Sequence, residues 1–357
     1  MTLPTPYIIR YAVCAAAAAG VALLAIPYAL RWAHRYGIID EPGGRRIHKG
    51  RVARAGGIVF FPTLMVCMAA AAIIWPVLWD PHYLGLAVAG AFLTVTGLID
   101  DIFDMRAALK LACQLGTGAI LFAFGYRFSA LSLPFVGRII ELGPADLIVT
   151  MLAVTALINA INMLDGLDGL AAGSVLIMCG FLFINKMTSS LPSSGLLLAI
   201  TIGMTLGFLW YNFHPARLFM GDTGSMLLGL ILAVELLDSA SQGAAVTTVL
   251  LPLVILGIPL FDMCRTVFFR ARASRHIFKA DKTHLHHRLL DFGLSHRAAV
   301  VFLYLMNIYM GAMSLIYKHV DKPYRGLFLL CMALFLFLAS YLIGMTPGVR
   351  TRESRDG

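Results

Sequence analysis

Residues 145–173 read ADLIVTMLAVTALINAINMLDGLDGLAAG. Up to residue 163 the stretch is almost continuously apolar, and about 20 such residues make one helical crossing of a bilayer. It shows no alternation of apolar and polar residues, so it is not a strand of a membrane barrel. The run then breaks on two Asp-Gly pairs, Asp165-Gly166 and Asp168-Gly169, and a second apolar run starts at once. Two apolar helices joined by a short polar break form the repeating unit of a polytopic membrane protein. Ionisable residues at such depth are costly enough to need a functional reason.

Working outward, apolar runs of similar length lie near 8–30, 56–75, 83–99, 108–125, 145–163, 168–187, 195–212, 224–240, 245–266, 298–317 and 325–345. The sequence therefore predicts an all-α polytopic integral membrane protein with eleven transmembrane helices. The composition agrees, with 59% apolar and only 13% charged residues and a mean hydropathy of +0.83. An average soluble domain carries about 25% charged residues, so a soluble enzyme, a disordered tail and a secreted disulfide scaffold are excluded. The first run has Arg10 before it and alanines at 15–19, as a signal peptide would. Its length and the arginines that follow make it an uncleaved span. No soluble insertion, low-complexity tract or internal repeat interrupts residues 1–357. They read as one transmembrane domain, with its motifs between 40 and 297 and a short tail at 346–357. The six cysteines stand singly and form no CxxC pair, so they read as small buried hydrophobes.

A net charge of +9 would point to nucleic acid in a soluble protein. In a membrane protein it reads as basic loops that fix orientation and face anionic lipid, and no nucleic-acid partner is expected. The connections after spans 1, 3, 5, 7 and 9, together with the C-terminal tail, hold 21 of the 28 Lys and Arg residues. The positive-inside rule puts that side in the cytoplasm, with the N-terminus outside and the C-terminus inside.

Four polar clusters fall at that same side. At the end of span 3, Asp100-Asp101-Ile102-Phe103-Asp104 places Asp100 and Asp104 on one helical face, at i and i+4, with Asp101 beside them. Three carboxylates so close repel one another unless a cation or shared proton compensates. They read either as a solvated acidic helix end or as a site for Mg²⁺ or a substrate phosphate. At the end of span 5, Asn159, Asn162, Asp165 and Asp168 line a Gly-punctuated break. They could hydrogen-bond a nucleobase and ribose, ligate a hard cation, or only bond their own turn. Between spans 7 and 8 comes Asn212-Phe-His214-Pro-Ala-Arg217-Leu-Phe219-Met-Gly221-Asp222-Thr-Gly-Ser225. Gly221 to Ser225 opens a helix whose free N–H groups favour an anion. Asp222 is placed to carry that anion's Mg²⁺, or serves as an N-cap. Phe219 reads as a base-stacking ring or an interfacial anchor. After span 9, His284-Leu-His286-His287-Arg288 lacks the matching Cys or His set of a zinc site and reads as a grip on phosphates or sugar hydroxyls, or as a basic membrane-surface loop. Ahead of span 2, the basic loop from Asp40 to Gly57 includes Lys49 and Arg54, which serve topology or neutralise a phosphate-rich ligand.

Taken together and in this order, Arg54-x-Gly56-Gly57, Asp100-Asp101-x-x-Asp104, the Asn159–Gly169 segment, Phe219-Met-Gly-Asp222-x-Gly-Ser225 and His284-x-His286-His287 resemble the polyprenyl-phosphate N-acetylhexosamine-1-phosphate transferases. The resemblance runs from about residue 27 to 297. It is strongest to the bacterial branch that uses UDP-N-acetylglucosamine and undecaprenyl phosphate and starts O-antigen, common-antigen or teichoic acid units. The peptidoglycan branch usually has Lys at the position of Asp104 and a different histidine motif. One departure is Ala53, where close relatives often have Pro, with an expected effect on loop stiffness only.

The resemblance implies an enzyme of the bacterial inner membrane, with Mg²⁺ as cofactor and Mn²⁺ as its substitute. Its active site would lie at the cytoplasmic face. Undecaprenyl phosphate would attack the β-phosphorus of the UDP-sugar and release UMP. Asp100, Asp101 and Asp222 would be the catalytic residues: Asp222 the leading metal ligand, and Asp100 and Asp101 near the metal and the lipid phosphate, one of them orienting the nucleophile or taking its last proton. Asn162, Asp165, Asp168, Asn212 and Phe219 would line the uridine side. Lys49, His284, His286, His287 and Arg288 would contact the diphosphate or the sugar, with Arg54, Asp104 and Asn159 in the same substrate-binding surface. Family analogy also implies a homodimer. The competing class is a cation-coupled transporter, which buries its charges near the midplane and often shows inverted repeats. Here the polar residues gather at one face, and no Walker-type loop points to nucleotide hydrolysis.

Overall fold

A computed structural model describes residues 5–40, 52–54, 56–133, 138–187, 193, 195–241, 252–272 and 284–345. The predicted apolar runs are largely helical over their described residues. Lys49, the beginning of the ninth run and the tail at 346–357 lie outside them. The helices are α1 (Thr5–Tyr36), α2 (Phe60–Ile74), α3 (Tyr83–Phe103), α4 (Ala107–Ala123), α5 (Asp146–Leu164) and α6 (Leu170–Lys186). They continue with α7 (Leu196–Asn212), α8 (Gly221–Ser241), α9 (Gly257–Arg272), α10 (Leu285–Asp291), α11 (His296–Tyr317) and α12 (Arg325–Met345). Among the described residues, six are long and apolar enough to cross a membrane, the second of them counted with the 3₁₀ turn that leads into it. The all-helical expectation is qualified by two small antiparallel ribbons. β1 (Ile39–Asp40) pairs with β2 (Val52–Ala53), and β3 (Ala130–Leu133) pairs with β4 (Arg138–Glu141) between α4 and α5.

The bundle is organised around α8. Its 21 residues, at about 1.5 Å each, match a hydrocarbon core about 30 Å thick. It is apolar nearly all round and packs against α3 and α5, as a helix without a polar face must. Outside this centre, α1 lies along α7, α4 along α5, and α6 against α7 and α11. Close approach is enforced at Gly57, where a Cβ would stand 2.1 Å from the Gly224 nitrogen, so the 3₁₀ turn that leads into α2 touches the first turn of α8. At the far ends of α6 and α8, Lys186 Nζ lies 2.7 Å from Glu235 and 2.5 Å from Asp238, an ion group that compensates its own buried charge.

Candidate active site

The acidic end of α3 and the first turn of α8 meet directly. Asp101 is buried, and its Oδ1 accepts the Asp222 N–H at 2.8 Å. Its Oδ2 accepts the Thr223 N–H at 3.0 Å and the Thr223 hydroxyl at 2.6 Å. The anion at the N-terminus of α8 is therefore the chain's own carboxylate, and these two amides are not free for a substrate phosphate as the sequence predicts. Gly221, at φ +71°, makes the turn possible, since a Cβ there would lie 2.6 Å from Asp101 Oδ2.

Asp100, also buried, faces the other way. Its Oδ1 accepts the Met105 N–H at 2.8 Å and its Oδ2 accepts from Lys110 Nζ at 3.0 Å. The same ammonium contacts Asp222 Oδ2 and lies 3.5 Å from Asn162 Oδ1. Lys110, on the first turn of α4, thus joins Asp100 to Asp222. Arg54 joins Asp222 to the other two: its guanidinium is 3.4 Å from Asp101, 3.5 Å from Asp104 and 3.9 Å from Asp222. Arg54 is held there by backbone pairing of its loop with the segment before α8. The Phe219 N–H donates to the Ala53 carbonyl, and the Gly56 and Gly57 N–H groups donate to Phe219 and Met220. Asp104 does not share a face with Asp100. The helix ends at Phe103, and a left-handed cap at φ 47° leaves the Asp104 carboxylate exposed.

The polar break after α5 forms the adjoining wall. Asn162 donates to the Ser225 hydroxyl at 2.9 Å, tying α5 to α8. Asn159 lies deeper, its amide in reciprocal bonds with Gln114 at 2.6 and 3.2 Å. Asn212 is buried and connects two loops, accepting the Gly169 N–H at 3.0 Å and donating to the Leu218 carbonyl at 2.8 Å. Asp168 accepts from Ala216 N–H at 3.1 Å and lies 2.7 Å from His214 Nδ1. Asp165 keeps some contact with solvent yet is surrounded by protein. Loss of water around its carboxylate, reinforced by the nearby Asp101 and Asp168 charges and opposed by Arg54, pushes it up to about 7. Phe219 is half-buried beside these loops.

The histidine cluster reaches the same wall through Gly166. The His286 ring rests on that glycine, so close that a Cβ would lie 2.2 Å from Nε2. His286 is buried beside His287, with ring centroids 4.3 Å apart, and burial with that neighbour pushes it down to about 3. His284 is positioned from α9: its Nδ1 lies 3.0 Å from Asp262 Oδ2, while Asp262 Oδ1 accepts the Leu285 N–H at 2.9 Å. His287 and Arg288 follow on α10, half-buried.

Three chemistries therefore share one end of the bundle: compensated carboxylates, a wall of amides and carboxylates, and buried imidazoles. Comparison with known proteins agrees. Residues 83–240 match the profile of glycosyl transferase family 4. A Bacillus subtilis (strain 168) protein named "Probable undecaprenyl-phosphate N-acetylglucosaminyl 1-phosphate transferase" is 33% identical over 83% of this chain and 82% of its own. The decaprenyl-phosphate N-acetylglucosaminephosphotransferase of Mycobacterium leprae (strain TN) is 34% identical over 80% of this chain and 78% of its own. The undecaprenyl-phosphate alpha-N-acetylglucosaminyl 1-phosphate transferase of Escherichia coli (strain K12) is 30% identical over 87% and 85%. The chain belongs to glycosyl transferase family 4.

The part matched to the family profile holds Asp100, Asp101, Lys110, Asn162, Asp168 and Asp222, while Arg54 and the histidines come from outside it. Sequence reasoning missed Lys110 and Asp262. Lys110 interrupts the fourth apolar run, the same signal that singled out the aspartates. Asp262 does the same in the ninth. An oxygen-only donor set suits a hard cation such as Mg²⁺. Asp100 and Asp222 fit that chemistry, since their oxygens converge on one positive group, the Lys110 ammonium. Asp101 fits it less well, with both oxygens already engaged.

Proposed function

We propose that this chain transfers N-acetylglucosamine 1-phosphate from UDP-N-acetylglucosamine to undecaprenyl phosphate, giving undecaprenyl-diphospho-N-acetylglucosamine and UMP. The observation that carries the reading is the meeting of Asp100, Asp222, Lys110 and Arg54 at the ends of α3, α4 and α8. Such a cluster gathers compensated charge where a diphosphate must be held. The names of the relatives supply the donor and acceptor.

In this reading a lipid phosphate oxygen attacks the β-phosphorus in line, and the bond to UMP breaks. One phosphoanhydride replaces another, so the exchange is nearly thermoneutral. A phosphate monoester's second pKa is about 6, so the acceptor is largely dianionic at neutral pH and no general base is required. The protein's task is positioning and charge neutralisation. Lys110 and Arg54 meet the transferred phosphates. Asp101 keeps its place at the head of α8 and so holds Asp222 in register. Asn162, Asp165, Asp168, Asn212 and Phe219 form the uridine side, and His284, His286, His287 and Arg288 the sugar-diphosphate side. Asp100 and Asp222 would hold Mg²⁺, which supplies electrostatic stabilisation of the developing phosphoryl charge when bound. The same reading has eleven crossings of a bacterial inner membrane, with this site at the cytoplasmic face.

UMP release by purified protein, given undecaprenyl phosphate and UDP-N-acetylglucosamine with Mg²⁺ or EDTA, tests the proposal. Lipid-dependent and Mg²⁺-dependent UMP is the expected result. Turnover only with another UDP-N-acetylhexosamine would change the donor. Folded protein silent with every donor would refute the transferase.

A further inference from the structure

One helical turn deeper in the bundle than the charged cluster lies a layer of amides. On α4, Gln114 follows Lys110 by four residues; on α5, Asn159 precedes Asn162 by three; on α8, Met226 follows Asp222 by four. Each therefore sits on the same helical face as its neighbour in the charged layer. The charged layer is joined by Lys110, which contacts Asp222 and lies 3.5 Å from Asn162 Oδ1. The deeper layer is joined by Gln114, which is buried. Its amide exchanges two hydrogen bonds with Asn159, at 2.6 and 3.2 Å, and its Nε2 lies 3.6 Å from Met226 Sδ. Asn159 Nδ2 also donates to the Thr155 carbonyl at 2.9 Å. Both N–H groups of the Asn159 amide are thus engaged inside the protein. Further along the same face of α4, a Cβ on Gly118 would stand 2.7 Å from Met151 Cα, so the backbones of α4 and α5 are in close contact there.

We propose that the Gln114–Asn159 pair is a register lock between α4 and α5 that holds the Lys110 ammonium at Asp100 and Asp222. Both amides are then positioning residues that act through Lys110. Apolar contacts tolerate a slide of one helix along another, whereas a reciprocal amide pair is directional. A slide would leave two amides unpaired where no water replaces the partner, and each orphaned group is costly. The Lys110 side chain is long and flexible, so its ammonium has a fixed place only if α4 itself is fixed. The amide pair supplies that constraint one turn away, on the face that carries Lys110. The kinetic arm of the test rests on the transferase reading, and the labelling arm does not.

The test uses full-length protein in detergent, with thermal unfolding to establish that each variant folds. Gln114→Leu keeps most of the side-chain volume and leaves Asn159 without its partner. It should lower kcat for UMP release by about tenfold, through a displacement of Lys110 smaller than about 1 Å. In a Lys110→Met background the same change should lower kcat by less than about twofold, because the group it acts through is gone. Asn159→Leu should behave alike in both backgrounds. Exchanging the pair, with Gln114→Asn and Asn159→Gln together, keeps its summed length and should recover most of the turnover that either change loses alone. The second readout is acetylation of Lys110, followed by mass spectrometry. Held by two carboxylates, with its side chain 17% exposed, Lys110 should label slowly in the wild type. Labelling should be several-fold faster in Gln114→Leu and slow again in the exchanged pair. Equal losses of kcat with and without Lys110 would make the amides act independently of it and overturn the proposal. So would a lowered Tm in Gln114→Leu with wild-type turnover and labelling, which leaves a structural role only. Wild-type protein that releases no UMP would refute the transferase reading, and the labelling would then decide the lock by itself.

Discussion

If Asp101 organises the head of α8, Asp101→Asn should cost stability before it costs chemistry. The native carboxylate accepts three hydrogen bonds, from Asp222 N–H, Thr223 N–H and the Thr223 hydroxyl, and faces Arg54 at 3.4 Å. Asparagine has nearly the same shape but offers one acceptor oxygen. Keeping that oxygen on the Asp222 N–H turns its NH₂ toward Thr223, whose hydroxyl can rotate to accept but whose N–H cannot. One buried amide is then orphaned, at about 1–3 kcal/mol. The favourable charge at the helix N-terminus is lost as well, worth about 1 kcal/mol. The sum is about 3 kcal/mol, or a fall in Tm of about 5 °C for a chain of this size. Thr223→Val removes only the hydroxyl bond and should cost about 1 kcal/mol. Because the two changes share a partner, the double variant should lose less than their sum. Turnover of Asp101→Asn should fall about 100-fold through displacement of Asp222 by about 1 Å. Circular dichroism melting in detergent and UMP release on the same preparations check both numbers. Wild-type Tm with no turnover would refute the organising role and put Asp101 at the reacting atoms.

Lys110→Met should lower kcat by about 100-fold or more, because it removes a fixed positive group from a water-poor site. UMP release within a few-fold of wild type would exclude Lys110 from the phosphates. Gly57→Ala drives a Cβ into the Gly224 backbone and should cost about 3 kcal/mol, near the upper end for overpacking; a Tm equal to wild type would mean that α2 and α8 separate without cost. For His286, burial holds the folded-state pKa at about 3, against about 6.5 in an unfolded chain. Between those values the unfolded state binds the extra proton, so stability rises with pH across the window and is lost toward acid, by up to about 1.4 kcal/mol per pH unit. His286→Asn should flatten the dependence of Tm on pH below about 6.5, and an unchanged slope would assign the acid loss to other groups.

The helices and the clustering were legible because both are one-dimensional signals. An uninterrupted run such as 145–163 can satisfy its backbone in a bilayer only as a helix. Polar residues at the ends of alternate runs must also gather at one end of the bundle. What could not be read was which group compensates which. Asp100 and Asp101 look equivalent in sequence, yet one is turned toward Lys110 and the other takes the backbone of α8. Asp104 looked like a partner of Asp100 only on the assumption that α3 continued through it. The helix stops one residue earlier, and a single left-handed residue reverses the outcome. The His214–His296 stack joins residues far apart in sequence and had no local signature.

Charge balance at the site argues for one further requirement. Asp100, Asp101 and Asp222 bring three carboxylates, and Lys110 and Arg54 bring two cations, so the cluster is net negative before Asp104 is counted. A nucleoside diphosphate carries additional negative charge, and in a partly buried setting like charges a few ångströms apart repel by several kcal/mol at an effective dielectric of about 20. The protein's own cations cannot offset both its carboxylates and the ligand. An added divalent cation neutralises the cluster with Asp104 included, and Asp100 and Asp222 offer it oxygen donors. UDP-N-acetylglucosamine should therefore bind at least about tenfold more weakly in EDTA than in Mg²⁺, a difference of about 1.4 kcal/mol, as read by equilibrium binding without the lipid acceptor. Lys110→Met should weaken binding in both conditions. Equal affinity with and without the cation would show that the charge is balanced by other means and would remove Asp100 and Asp222 as its ligands in the donor complex.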